Sequence, residues 1–195
     1  MRLFVAVNFP ASVRRALSGL VDELSGAALP VRWTPESDFH LTLRWLGSCD
    51  RGEADAVAAV LSEMAADAEP FEASFGAVGA FPSPRRPRVI WIAVEAGPRL
   101  RLLRDQLERR LAAEGFGRDA RSFRPHVTLG RAWRGARPGA FRPFVALSGN
   151  LAIEGSVAVT SIDLMQSHTD PEGVRYERLG AMPLGDTLPA EGTAD

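Results

Sequence analysis

The chain has 195 residues, 46% of them hydrophobic, and a formal net charge of −1, which is enough apolar material for a sizeable core in one domain or two small lobes. A pI near 6.3 argues against a broad basic surface that wraps duplex nucleic acid, so any contact with a polyanion has to be local. The single cysteine, Cys49, excludes an internal disulfide and a multi-cysteine zinc site, and the short apolar start before Pro10 is neither leader nor membrane span, so a cytoplasmic protein held by apolar packing is expected.

Residues 2–8 alternate Leu3, Val5 and Val7 against Phe4 and Ala6, as a strand buried on at least one face would, and Pro10 ends it. From Pro10 and Ser12 to Gly26, the spacing of Val13, Leu17, Leu20, Val21 and Leu24 predicts a helix with one apolar stripe. Residues 39–46 alternate again, which places Phe39, Leu41, Leu43 and Trp45 on a dry face and His40, Thr42, Arg44 and Leu46 on the other. Val57, Val60, Leu61 and Met64 mark a second helix. Strands are expected over 71–81 and 88–94, on either side of the proline-rich loop 82–87. Leu100, Leu103, Leu107 and Leu111 predict a third helix that stops near Gly115, and a short strand runs from His126 to Arg131. One further strand over 156–166 leads to a turn at Asp170-Pro171-Glu172-Gly173, with 174–182 returning as its hairpin partner and 186–195 a disordered tail. Helices fall between strands without strict βαβ alternation and no glycine-rich phosphate loop follows the first strand, which predicts an α+β fold with largely antiparallel sheets.

Only three histidines are present, and two of them open the same pattern: His40-Leu41-Thr42-Leu43 and His126-Val127-Thr128-Leu129. On a strand, residues two apart project to one side, so each imidazole shares a face with a threonine hydroxyl while Leu41, Leu43, Val127 and Leu129 anchor the other face. Two such strands facing each other would make a cleft with two groups titrating near neutrality and two hydroxyl donors, suited to an anionic phosphodiester. Attack of water on a cyclic phosphate needs one group to take a proton and another to give one to the departing ribose oxygen; neutral and protonated imidazole fill those roles. A metal hydrolase is disfavoured, because two histidines without a third ligand at recognisable spacing make a poor site. A non-catalytic nucleotide- or RNA-binding module is also disfavoured, since binding alone would not need two proton-transfer groups.

These residues resemble the two-histidine phosphoesterases, and within them the RNA 2′,3′-cyclic phosphodiesterases once called 2′-5′ RNA ligases. The likeness runs over nearly the whole chain: Arg2 to Val7 with Pro10, Phe39 to Leu43 with Leu46-Gly47, Phe123 to Leu129 with Arg131, and Gly173 to Tyr176 with Leu179. It implies a single bilobal domain over 1–185, with two mainly antiparallel sheets and flanking helices around a central cleft, pseudo-twofold symmetry and one His-x-Thr motif per lobe. It also implies metal-free hydrolysis of 2′,3′-cyclic phosphate ends to 2′-phosphomonoesters; the alternative is 2′-5′ RNA ligation, the same chemistry run toward synthesis. No cofactor or metal is implied; the partners are RNA ends or small cyclic nucleotides, and the protein is expected to be a monomer. His40 resembles the histidine that protonates the leaving O3′ and His126 the one that orients or deprotonates water. Thr42 and Thr128 match threonines that hydrogen-bond phosphate oxygens, and Arg131 matches an arginine that grips the phosphate. One departure is Val5, with Phe4 adjacent, where some relatives carry an aromatic base-stacking residue.

Other residues read more plainly. His168 lies before a turn without the motif and reads as a solvated surface histidine, and Cys49 has no partner that would make it a nucleophile. Trp33, Trp45 and Trp91 read as core. Seven arginines and one acid, Asp119, lie between Arg118 and Arg142, a cluster able to attract RNA phosphates. Every basic residue here is arginine, however, so apart from Arg131 a solvated loop is the ordinary reading for each, as it is for Arg85, Arg86 and Arg88. Trp133, within that loop, has base stacking as its alternative role.

Overall fold

Leu3, Val5 and Val7 of β1 (Arg2–Asn8) pack into the main core, while Phe4 and Ala6 are buried on the opposite face, so the first strand is dry on both sides. The computed structural model describes residues 1–137, 139–149, 151–170 and 173–185. After β1 come α1 (Ala11–Ser25), β2 (Val31–Trp33), a 3-10 turn at Glu36–Asp38, β3 (His40–Ser48), α2 (Arg51–Ala66), β4 (Phe71–Phe81), β5 (Val89–Glu95), α3 (Gly97–Ala113), β6 (His126–Ala132), α4 (Arg142–Leu147), β7 (Ser156–Val159), β8 (Ser161–Asp170) and β9 (Gly173–Pro183). The helices bury the stripes that their spacing announced: Leu17, Leu20, Val21 and Leu24 in α1, Val57, Val60, Leu61 and Met64 in α2, and four leucines in α3. Asp50 caps α2 by accepting from the Glu53 N–H at 2.9 Å, while the Glu53 carboxylate accepts from the Asp50 N–H at 2.8 Å. No described helix is long and apolar enough to cross a membrane.

The strands run in the order β7-β4-β5-β6-β3-β1-β8-β9, with β2 beside β6 and every pair antiparallel. The fold is α+β, and the two expected sheets are two halves of one curled sheet, joined at a single paired position, Leu41 opposite Val127. Each half holds an antiparallel pair joined through a helix, β1-α1-β3 in one and β5-α3-β6 in the other. The chain then crosses over: β4, after α2, pairs with β5, and β8, after β7, pairs with β1. Each half is therefore completed by a strand from the other repeat.

Two expectations fail for identifiable reasons. The single strand over 156–166 is two strands that break at Thr160; β7 pairs with β4 and β8 with β1, so the chain passes between halves there, and the buried parity switches from Val157 and Val159 to Ile162 and Leu164. The alternation along β3 also breaks. Val5 lies opposite Arg44 and Ala6 opposite Thr42, which leaves Leu43 as an extra residue, and a second shift falls between Leu3 and Phe4. This β-bulge puts Leu43 and Arg44 on the same side. Arg44 is buried and pairs with Glu108 of α3 at 2.7 Å, whereas Trp45 turns to the face of His40 and Thr42, the reverse of the strict alternation. The expected turn at 170–173 and the tail at 186–195 include residues 171, 172 and 186–195, which lie outside the described residues.

Candidate functional site

Leu41 is opposite Val127, and an undistorted antiparallel register carried one residue either way would set His40 opposite Thr128 and Thr42 opposite His126. The two histidines lie on the diagonal of this square, a position in which Cα atoms of an undistorted ladder are about 7–8 Å apart. The single paired position is thus the pivot of a local twofold that relates the two motifs.

Both imidazoles are held by the same local device. His40 Nδ1 lies 2.7 Å from the carbonyl oxygen of Asp38, and His126 Nδ1 lies 2.6 Å from that of Arg124, in each case two residues earlier. A carbonyl oxygen only accepts, so Nδ1 carries the hydrogen in both rings and Nε2 is the nitrogen that gains or loses a proton. The 3-10 turn before β3 and Pro125 before β6 bring those carbonyls under the rings.

The surroundings differ. His40 is packed by Phe4, with centroids 5.1 Å apart, and by the edge of Tyr176 at 4.9 Å. His126 meets Phe81 edge-on at 5.2 Å and Trp91 at 6.2 Å. Burial lowers the His40 pKa from 6.5 to about 4, against the hydrogen bond to Asp38, with smaller contributions from His126 and Arg131. Burial also lowers His126, against the hydrogen bond to Arg124, with a further push from Arg131. His126 is therefore near enough for its charge to be felt at His40, and Arg131 near enough to act on both.

His40, Thr42, Thr128 and Arg131 line one cleft of about 350 Å³, together with Phe4, Arg32, Trp45 and Tyr176. His126 is not among the lining residues; it stands two positions before Thr128 on β6 and so projects on the same side of the strand. Arg32 on β2 lies directly opposite Arg131 on β6, and like charges so placed repel unless an anion lies between them. The single acid in the lining, Asp38, has its pKa raised by burial, opposed by a hydrogen bond from the Ser37 hydroxyl. What gathers here is two titratable Nε2 atoms, two hydroxyls and two guanidinium groups, the chemistry of an anion site with proton transfer.

Several of these residues were invisible in the sequence. Trp33 and Trp45 line the cleft, and Trp91 packs on His126, so none of the three is simply core. Trp91 lies flat over Gly79, its partner on β4, where a Cβ would come within 2.5 Å of the indole; glycine is what lets the ring sit there. Gly130 plays the same part under β2, where a Cβ would meet Val31 at 2.6 Å and Trp33 at 2.8 Å. At the first strand it is Phe4 that faces the cleft, stacked on Trp45 at 5.4 Å, while Val5 faces the helices. His168 hydrogen-bonds Glu177 at 2.8 Å on the β8–β9 hairpin and does not line the cleft. Among the described residues no three His, Cys, Asp or Glu side chains form a group that could hold a metal ion.

The family model described as the 2′-5′ RNA ligase superfamily matches residues 10–171. The chain belongs to the 2′-5′ RNA ligase superfamily. It is 37% identical over 167 residues to a protein of Aeropyrum pernix named RNA 2′,3′-cyclic phosphodiesterase, covering 84% of this chain and 92% of that protein. It is 36% identical over 182 residues to a protein of the same name from Archaeoglobus fulgidus, covering 92% and 98%. Among solved structures, the superfamily fold is matched by TT0787 of Thermus thermophilus, with a TM-score of 0.79 and 26% identity over 96% of this chain and 100% of that one. E. coli LigT, crystallised with 3′-AMP, matches the fold with a TM-score of 0.74 at 24% identity, covering 95% and 98%.

Proposed function

We propose that this superfamily member is an RNA 2′,3′-cyclic phosphodiesterase that opens 2′,3′-cyclic phosphate ends to 2′-phosphomonoesters by metal-free acid–base catalysis at His40 and His126. The observation that carries this reading is the pair of imidazoles with Nδ1 tied to the carbonyl two residues back, which commits Nε2 of each to proton transfer. The names of the archaeal relatives point to the same substrate.

In the reaction, a water oxygen attacks phosphorus as the bond to O3′ breaks. Neutral Nε2 of His126 takes a water proton, and protonated Nε2 of His40 delivers one to O3′, which leaves the phosphate on O2′. The Thr42 and Thr128 hydroxyls donate to the non-bridging oxygens, and Arg131, with Arg32 opposite, holds the charge that builds on them. The protein alone disfavours the charged form of His40, so the proton it donates is stabilised by the bound phosphate, whose negative charge offsets the cost of burial. Ligation, which the superfamily description names, is the same displacement with an RNA 5′-hydroxyl in place of water.

The test is incubation of a 2′,3′-cyclic-ended RNA with the protein in the presence of EDTA, followed by identification of the product isomer. A 2′-phosphate formed at an undiminished rate is expected. A 3′-phosphate, no turnover or a large loss with chelator would overturn the reading.

A further inference from the structure

Past Arg131 the chain enters a second, larger concavity that the chemistry above does not use. The groove, of about 1220 Å³, is walled by Arg85, Arg86 and Arg88 from the β4–β5 connection and by Arg134, Arg137 and Arg142 after β6. Trp133, 64% exposed, and Val145, 43% exposed, supply its apolar surface, and no acid is among its lining residues.

Three observations single it out. First, none of these six arginines is in an ion pair among the described residues, whereas Arg44, Arg99, Arg104, Arg110 and Arg121 all have carboxylates within 4.0 Å. Six like charges around one groove, in a chain of net charge −1, repel each other and are relieved by a polyanion. Second, the indole is exposed although the loop that carries it is anchored, with the Trp133 N–H donating to the Pro30 carbonyl at 2.9 Å and the Ala132 N–H to that of Arg88 at 3.1 Å. A large flat apolar ring held out among guanidinium groups is a stacking platform for an unpaired base. Third, Arg131 lines the cleft and the next residue, Ala132, lines the groove, so one strand end carries both.

We propose that this groove is the binding site for the single-stranded RNA leading to the cyclic phosphate end, so that the protein prefers a strand to a mononucleotide. The inference rests on the proposed phosphodiesterase activity for its register, with the terminal phosphate in the cleft and the preceding nucleotides running past Arg131 onto Trp133. Cleft volumes of a few hundred Å³ suit one small ligand, and the groove supplies what the rest of a strand offers: phosphates for the arginines and a π-face for the tryptophan. A duplex offers no unpaired base, so single strands are selected.

The experiment compares hydrolysis of 2′,3′-cyclic CMP with that of a short unstructured RNA carrying the same end, for the wild-type protein, Trp133→Ala and the Arg134→Glu/Arg137→Glu double variant. The expected result for the oligonucleotide is a KM raised about fivefold or more by the loss of stacking, and by a larger factor in the double variant. Loss of two phosphate contacts also lowers the slope of log KM against log salt by about 1.4. Both variants should leave kcat/KM for cyclic CMP within about twofold of wild type, which also shows that they fold. Equal losses on the two substrates, or no loss on the RNA, would overturn the groove. Anisotropy with a fluorescent single-stranded RNA lacking the cyclic end tests it independently of turnover: tight wild-type binding weakened by the double variant supports it even should hydrolysis fail. Equal binding of duplex RNA, or displacement by polyglutamate as effective as by RNA, would overturn it in favour of shape-blind or protein binding.

Discussion

The two half-sites share a backbone and differ in their side chains. His40 and His126 begin equivalent strands, donate from Nδ1 to the carbonyl two residues earlier and each stand one residue before the single paired position, Leu41 opposite Val127. Yet His40 sits between Phe4 and Tyr176, with its pKa pushed to about 4, while His126 packs against a different pair of rings, Phe81 and Trp91, and is lowered by burial. The shared backbone supplies a pair of imidazoles with the same tautomer, and the side chains packed on each ring differ. Two imidazoles close enough to feel each other's charge take up their first proton more readily than their second, and the singly protonated pair is the state that acid–base catalysis needs.

The largest losses of activity are expected at the rings themselves. His40→Ala and His126→Ala should each lower kcat by about 10²–10⁴, and the double variant should be little worse than either single, since the two act as a unit. A loss under tenfold for either one in steady-state assays would mean that it does not transfer a proton. Arg131→Ala comes next: a charge-assisted contact worth about 1.5–3 kcal/mol predicts a loss of about 10- to 100-fold in kcat/KM. Thr42→Val and Thr128→Val should each cost about tenfold through one lost phosphate hydrogen bond, and similar losses from the two sharpen the local twofold, whereas a large inequality would show that only one half-site holds the phosphate. Tyr176→Ala should act on His40 alone. Opening the ring to water relieves the burial that lowers its pKa, so NMR titration should move His40 up toward 6.5 and leave His126 in place. The smallest effect belongs outside the site: Asp50→Ala removes the α2 cap at a cost of about 1 kcal/mol, read as a fall of about 2–4 °C in Tm, with kcat/KM unchanged.

Much of this was legible in the sequence because it depends on local period. The repeated His-x-Thr pattern, the alternation in β1 and the leucine spacing in α3 are each written in consecutive residues and survive into the structure. The unreadable parts depend on partners far away in the chain. The bulge that turns Trp45 into the cleft and Arg44 toward Glu108 is set by pairing with β1, and nothing in residues 39–46 announces it. β2 has three residues and α4 has six, too few for a period to show. The break at Thr160 is a change of sheet half inside a run that stays β-prone throughout. Tyr176 reaches His40 only because β9 flanks β8, which flanks β1. The carbonyls of Asp38 and Arg124, which fix both tautomers, are backbone atoms and have no residue signature at all.

The most direct test is the pH dependence of kcat/KM for a 2′,3′-cyclic nucleotide, which reports the free protein. Burial lowers both histidines, so the singly protonated form is most populated below the ordinary imidazole value of 6.5 and declines as pH rises through it. Acid–base catalysis at His40 and His126 gives a bell with both limbs below 6.5, and a kcat profile displaced to higher pH because the bound phosphate stabilises the protonated rings. A kcat/KM that is flat from about pH 4 to 9, or a bell with both limbs above about 7, would contradict it.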